Sequence, residues 1–148
     1  MSRKTTAVFI GHRDCFEVTE ETVTPIIEKV INDGVVDFVN GAQGHFDEVC
    51  ARAVYKLKGK FPHIRSYVMI PYEKFRIFDQ SLFDEVIRPY PEGFGTSYYK
   101  GAIPFRNRTM VSYAGVAICY VGHKSKGSAK TLEIAKKYGV KIYNLFKE

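Results

Sequence analysis

Five continuous apolar runs divide the chain, and between them apolar residues recur at helical spacing. The runs are TTAVFI (5–10), VVDFV (35–39), SYVMI (66–70), GVAICYV (115–121) and VKIYNL (140–145), the first ending at Gly11 and the third stopped by Pro71. Each predicts a buried strand. Val23, Ile26, Ile27, Val30 and Ile31 fall at i, i+3, i+4, i+7 and i+8, the stripe of an amphipathic helix. Thr19 suits its N-cap, Glu20 and Glu21 suit its positive end, and Asp33-Gly34 suits its stop. Phe46, Val49, Cys50, Ala53, Val54 and Leu57 repeat the spacing. A third helix is expected from near Phe105 within AIPFRNRTMVSYA (102–114), and a fourth from about Ser128 to Tyr138, closed by Gly139. Between Tyr72 and Lys100 the pattern is less regular. FDQSLFDEVI (78–87) suggests a short helix, and RPYPEGFGTSYYKG (88–101) has the Pro, Gly and Tyr content of a long loop.

Strands of continuous apolar character alternating with helices imply a mostly parallel sheet covered on both faces. The expected fold is α/β, a Rossmann-like three-layer sandwich on a five-stranded sheet, with residues 1–148 forming a single domain. A chain of this length buries a real core but is too short for two ordinary domains.

Charge and cysteines narrow the chemistry. At 45% hydrophobic and 26% charged residues the chain reads as soluble, and no apolar run approaches the length of a membrane span. The apolar patch after MSRK is too short for a signal-peptide core, so a cytoplasmic location is expected. Lys+Arg minus Asp+Glu is 22 − 16 = +6, spread along the chain without a long basic run. That favours a small anionic ligand over a dedicated nucleic-acid tail. Cys15, Cys50 and Cys119 are odd in number and far apart, which fits neither a disulfide framework nor a cysteine zinc site.

In an open parallel sheet, ligands bind beyond the carboxyl ends of the strands where the strand order reverses. Four segments fall at that edge. In GHR (11–13), Gly11 permits close backbone approach, while His12 and Arg13 offer donors to phosphate. In NGAQGHFDEVCA (40–51), Gly41, Ala42 and Gly44 precede a helix start, which suits an anion. Asp47, in the first turn, can accept from ribose hydroxyls or serve as an N-terminal helix carboxylate. In RNRTM (106–110), Arg106 offers a guanidinium and Asn107 an amide, on what is otherwise a basic helix face. In GHKSKGSAKT (122–131), Gly122 and Gly127 have P-loop spacing, but Ser128 and Ala129 stand where Lys and Ser/Thr are required. This loop reads as a helix-start anion site of another kind, with backbone amides at 127–129 and hydroxyl donors from Ser128 and Thr131. His12, His45 and His123 each follow a glycine, but no metal-ligand spacing supports a metal site, and no cofactor is expected.

Taken in order, GHR, GAQGHFDEVCARAV, RNRTMV and KGSAKTLEIAKKYGVKIYNL resemble the SLOG superfamily over nearly the whole chain, most closely its small stand-alone YpsA-like members. That superfamily also holds the Lonely Guy phosphoribohydrolases and the Rossmann domain of the DNA-processing protein A family. The resemblance implies a Rossmann-like sheet that binds a nucleotide or nucleotide-derived ligand, usually in a homo-oligomer. It implies a phosphate loop at Gly127, Ser128 and Ala129, a second glycine-rich loop from Gly41 to Asp47, and a catalytic arginine at the position of Arg106. The Lonely Guy motif P-G-G-x-G-T, with a glutamate three residues after the threonine, is altered here. The segment is KGSAKTLEI, with Ile134 at the glutamate position and Glu133 beside it, displaced by about 100° along the helix.

The leading expectation is therefore a binding module for a nucleotide or ADP-ribose-like ligand, acting as a sensor or by sequestration. Arg106 and the 127–129 amides would hold phosphate, Asp47 or Asn107 ribose, and the segment from Tyr72 to Tyr99 the base. One alternative is a nucleoside 5'-monophosphate phosphoribohydrolase using Arg106 and Glu133. A second is single-stranded DNA binding.

Overall fold

In the computed structural model, which describes residues 1–90, 95–123 and 126–147, the apolar runs form strands shielded by helices on both faces. Among these residues the order is β1 (Thr6–Gly11), α1 (Glu20–Asn32), β2 (Asp37–Asn40), α2 (His45–Leu57), β3 (Arg65–Met69), β4 (Glu85–Ile87), α3 (Ala102–Ser112), β5 (Val116–Tyr120), α4 (Lys126–Lys137) and β6 (Lys141–Asn144). The six strands make one sheet in the order β4-β3-β2-β1-β5-β6, with every adjacent pair parallel. β1 is central. Its register sets Ala7 beside Phe38 and Val116, and Val8 beside Val39 and Ala117.

Side chains alternate across a strand, so β1 feeds two cores. Ala7 and Phe9 pack with Val23, Ile27 and Val30 of α1 and Phe46, Cys50 and Val54 of α2. Val8 and Ile10 pack with Met110 and Val111 of α3 and Leu132 and Ala135 of α4. The three-layer sandwich follows from this division. Each fully buried Val, Ile or Phe contributes roughly 1.5–3 kcal/mol. α1 begins where expected: Thr19 and Thr22 form a reciprocal capping box, with Glu20 and Glu21 in the first turn.

The expectation of five strands needs correction to six. The short helix expected over 78–87 is a single 3-10 turn at Gln80–Leu82, followed by β4 on the edge of the sheet. Its three residues are too few to show a period. Asp84 sets the pairing through tertiary contacts, its carboxylate accepting Ser66 N–H at 2.8 Å and an ion pair from Lys58. A third apolar cluster, with Phe75, Ile77, Phe78 and Phe83 against Val68 and Ile70, seats this segment on the sheet. Residues 91–94 of the expected long loop, and Lys124 and Ser125 of the loop before α4, lie outside the described residues. Among the described residues no helix is long and apolar enough to cross a membrane.

Candidate functional site

Strand order reverses between β1 and β5, and a cleft of about 780 Å³ opens there at the carboxyl ends of the strands. The loop after β1 is tied down on both sides. His12 N–H donates to Tyr120 O at 3.2 Å, and its Nε2 accepts the Gly122 N–H at 2.8 Å. On the other side, His45 N–H donates to Arg13 O at 2.8 Å. This contact requires glycine at position 44, where φ is +102° and a Cβ would lie 2.5 Å from Arg13 Cα. His45 itself bonds Val18 O through Nε2 and packs against Phe16. Among the described residues no group of three His, Cys, Asp or Glu is placed to hold a metal ion.

The loop after β2 is organised by Asn40, whose amide accepts Ala42 N–H at 2.7 Å and donates to Asp47 O at 2.8 Å. Ala42 adopts φ +54°, a left-handed conformation uncommon outside glycine and held here by that bond. Asp47 is 7% exposed and lines the cleft, with Oδ2 accepting Gln43 N–H at 2.9 Å. Burial pushes its carboxyl up to about 7, against the opposing pull of the Gln43 N–H and the Arg106 charge. Near neutral pH both forms are populated, so Asp47 can accept from or donate to a ligand hydroxyl.

Arg106 is 1% exposed, an arginine inside the protein. Nη1 donates to Gly41 O at 2.7 Å and Met69 O at 2.8 Å, Nη2 to Gln43 Oε1 at 2.8 Å, and Nε to Asn107 Oδ1 at 2.8 Å. Its guanidinium lies 5.6 Å from the Phe75 ring centroid. Burial lowers its pKa to about 10, partly offset by Asp47, so it stays charged at neutral pH. At least four of the five guanidinium N–H groups are therefore spent on the protein. Arg106 joins the Gly41 loop to the end of β3 before it can do anything for a phosphate.

The hydroxyls at the start of α4 are committed as well. Ser128 Oγ donates to Gly11 O at 2.7 Å, and Thr131 Oγ1 to Gly127 O at 3.2 Å. Both hydroxyl protons are thus spent within the chain. What this end offers an anion is the first turn of the helix, whose leading N–H groups have no acceptor within it, together with Lys126.

Of the residues singled out in the sequence, the cleft gathers Gly11, His12, Arg13, Gly41, Asp47, Arg106, Asn107, Gly127, Ser128 and Thr131. Ala42 and Gly44 shape its loops from behind, and Ala129 packs against the core on the α3/α4 side. Tyr72 is outside the lining, packed edge-on to Phe75 and Tyr98. Glu133 is exposed, paired with Lys136 at 3.4 Å, and also outside the lining. Sequence reasoning missed Gln43, Tyr120 and Phe146, all of which line the cleft. Tyr120 stands at the carboxyl end of a strand, a position that could have flagged it. Phe146 has no such local signal.

No family model matches the chain, and no curated protein matches it significantly in sequence. Solved structures do match in fold. DNA processing protein A from Helicobacter pylori, described for its unique single-stranded DNA binding mode, aligns with TM-score 0.66 and 17% identity, over 95% of this chain and 64% of that one. DNA processing protein A from Streptococcus pneumoniae aligns with TM-score 0.71 and 18% identity, over 94% of this chain and 49% of that one. The chain thus spans about half to two thirds of the length of these neighbours. It shares with them a Rossmann-like α/β fold.

Proposed function

We propose that the protein binds a nucleotide or nucleotide-derived ligand, ADP-ribose among the candidates, through its phosphate in the cleft between β1 and β5. The observation that carries this reading is the convergence of two helix starts on one cleft of nucleotide size. The α2 side brings Gln43 and the buried Asp47, and the α4 side brings Lys126 and Gly127. Helix N-termini favour anions, and a carboxyl group poised near neutrality suits a ribose hydroxyl. The resemblance to the SLOG superfamily supports the same reading and a role in sensing or sequestration. Phosphoribohydrolysis is less well supported, because Glu133 lies outside the cleft.

The test is calorimetric titration with AMP, ADP-ribose, cyclic ADP-ribose and NAD, on the parent protein and on Gly127→Asp. Among the described residues a Cβ at Gly127 meets nothing within 4 Å, so this variant adds a negative charge at the proposed phosphate position without a clash with them. Binding weakened tenfold or more by Gly127→Asp, with intact ligand recovered by chromatography, is the expected result. Free base and ribose phosphate would indicate a hydrolase, and no heat with any of the four ligands would count against the reading.

A second reading is single-stranded DNA binding. It is favoured by the fold shared with DNA processing protein A, by the single-stranded DNA binding described for the H. pylori protein, and by the net charge of +6. It predicts oligothymidylate binding whose affinity falls linearly with salt on a log–log scale. No anisotropy change at low salt would remove it.

A further inference from the structure

Three of the rings that the proposed function leaves unused share one side of the cleft, and a fourth, His123, stands edge-on to Phe146 with centroids 6.4 Å apart. His12 follows β1, Tyr120 ends β5 and Phe146 follows β6, and all three line the cavity. Their centroids are 5.8 Å apart for His12–Tyr120, 6.1 Å for His12–Phe146 and 5.4 Å for Tyr120–Phe146. The corresponding interplanar angles are 81°, 78° and 79°, so the rings stand nearly perpendicular to one another. They meet like the faces of a box at one corner.

Each ring is held by its own bonds. His12 is fixed by the Gly122 N–H, and Tyr120 stacks on Phe46 with centroids 6.3 Å apart. Phe146 is placed by Asn144, whose Oδ1 accepts both Val121 N–H and Phe146 N–H at 3.1 Å, and whose Nδ2 donates to Val121 O at 3.0 Å. The Phe146 ring covers Gly122, where a Cβ would come within 2.5 Å of it. Yet Phe146 belongs to none of the three apolar clusters and is only partly buried. A large apolar ring held in place by three hydrogen bonds of its neighbour, outside the core and at the cleft, is arranged for something other than core packing.

We infer that this corner is the base-recognition subsite of the cleft, so that the ligand is a nucleoside phosphate whose planar base lodges against His12, Tyr120 and Phe146. A flat ring set parallel to any one of them is edge-on to the other two. Offset stacking and edge-to-face contact are both favoured geometries for aromatic pairs. The base would then be read on the β5/β6 side, and not by Tyr72, which packs on Phe75 and Tyr98 outside the cleft lining. This inference rests on the proposed phosphate site.

The experiment compares AMP with ribose 5-phosphate, which keeps the phosphate and sugar but lacks the base. Both are titrated into the parent protein, Phe146→Ala and Phe146→Leu, with thermal midpoints confirming that each variant is folded. Base stacking on one aromatic residue corresponds to roughly a five- to 150-fold effect on affinity. The parent protein should prefer AMP over ribose 5-phosphate by about tenfold or more. Both variants should lose that preference, with ribose 5-phosphate affinity unchanged. Equal affinity of the parent protein for the two compounds, or a parallel loss of both in folded variants, would overturn the corner while leaving the phosphate site standing. Binding of neither compound by the parent protein would also overturn the corner, and the phosphate site would fall with it only if ADP-ribose, cyclic ADP-ribose and NAD gave no heat either.

Discussion

Asp47→Asn should stabilise the protein, and the gain should depend on pH. The carboxyl group of Asp47 is raised from 3.8 to about 7 by burial. Between about pH 4 and pH 7 the folded state keeps a proton that the unfolded chain has released, so folding weakens as pH rises through that window. The gap between 3.8 and about 7, at about 1.4 kcal/mol per pH unit, sets an upper bound near 4 kcal/mol. Asparagine approximates the neutral acid: its carbonyl oxygen can still accept the Gln43 N–H, and it carries no charge to desolvate. The variant also lacks the ionised form's attraction to Arg106, an attraction already contained in the value of about 7. The expected gain is therefore small at pH 4, grows to pH 7, and levels at roughly 2–4 kcal/mol above it. Urea unfolding of both proteins from pH 4 to pH 8.5, at constant ionic strength, measures this directly. A constant difference across the series, or an asparagine variant less stable at pH 8, would refute the assignment of Asp47 as a buried, destabilised carboxylate.

Three further outcomes follow from the same geometry. Arg106→Leu removes the donors to Gly41 O and Met69 O, and at about 1–3 kcal/mol per unpaired buried carbonyl the two together should cost roughly 2–6 kcal/mol. A urea midpoint shift equivalent to less than about 1 kcal/mol would show that water replaces the guanidinium without penalty. Gly44→Ala combines positive φ with a clash against Arg13, and should lower the thermal midpoint by several degrees, on the order of 1–3 kcal/mol. An unchanged midpoint would mean the two loops separate easily. Cys15, Cys50 and Cys119 are buried, and burial raises all three thiols, Cys15 to about 11 and Cys119 to about 12. The native protein should leave a thiol reagent unreacted at pH 8 until denaturant is added, and prompt labelling of any cysteine would contradict the burial.

The amino-acid sequence alone determined the sandwich, because strands buried on both faces and helices buried on one leave periodic signatures. Ala7 to Ile10, Phe38-Val39 and Ala117 to Cys119 had to lie between two layers, and the stripes of α1 and α2 had to cover one of them. The four loops of the site were legible for a related reason: glycines and small residues at strand ends mark places where backbone must approach something closely. Three features had no local signature. β4 depends on Asp84 reaching Ser66 and Lys58, partners distant in the chain. The work of Arg106 depends on Gly41 and Met69, 65 and 37 residues away, so its sequence context suggested a ligand contact where the fold uses most of the guanidinium as an internal tie. The aromatic corner joins residues 12, 120 and 146 only because β1, β5 and β6 end side by side. Periodicity records what each element buries. Which strand ends become neighbours, and so which side chains share a cleft, is decided only when the sheet closes.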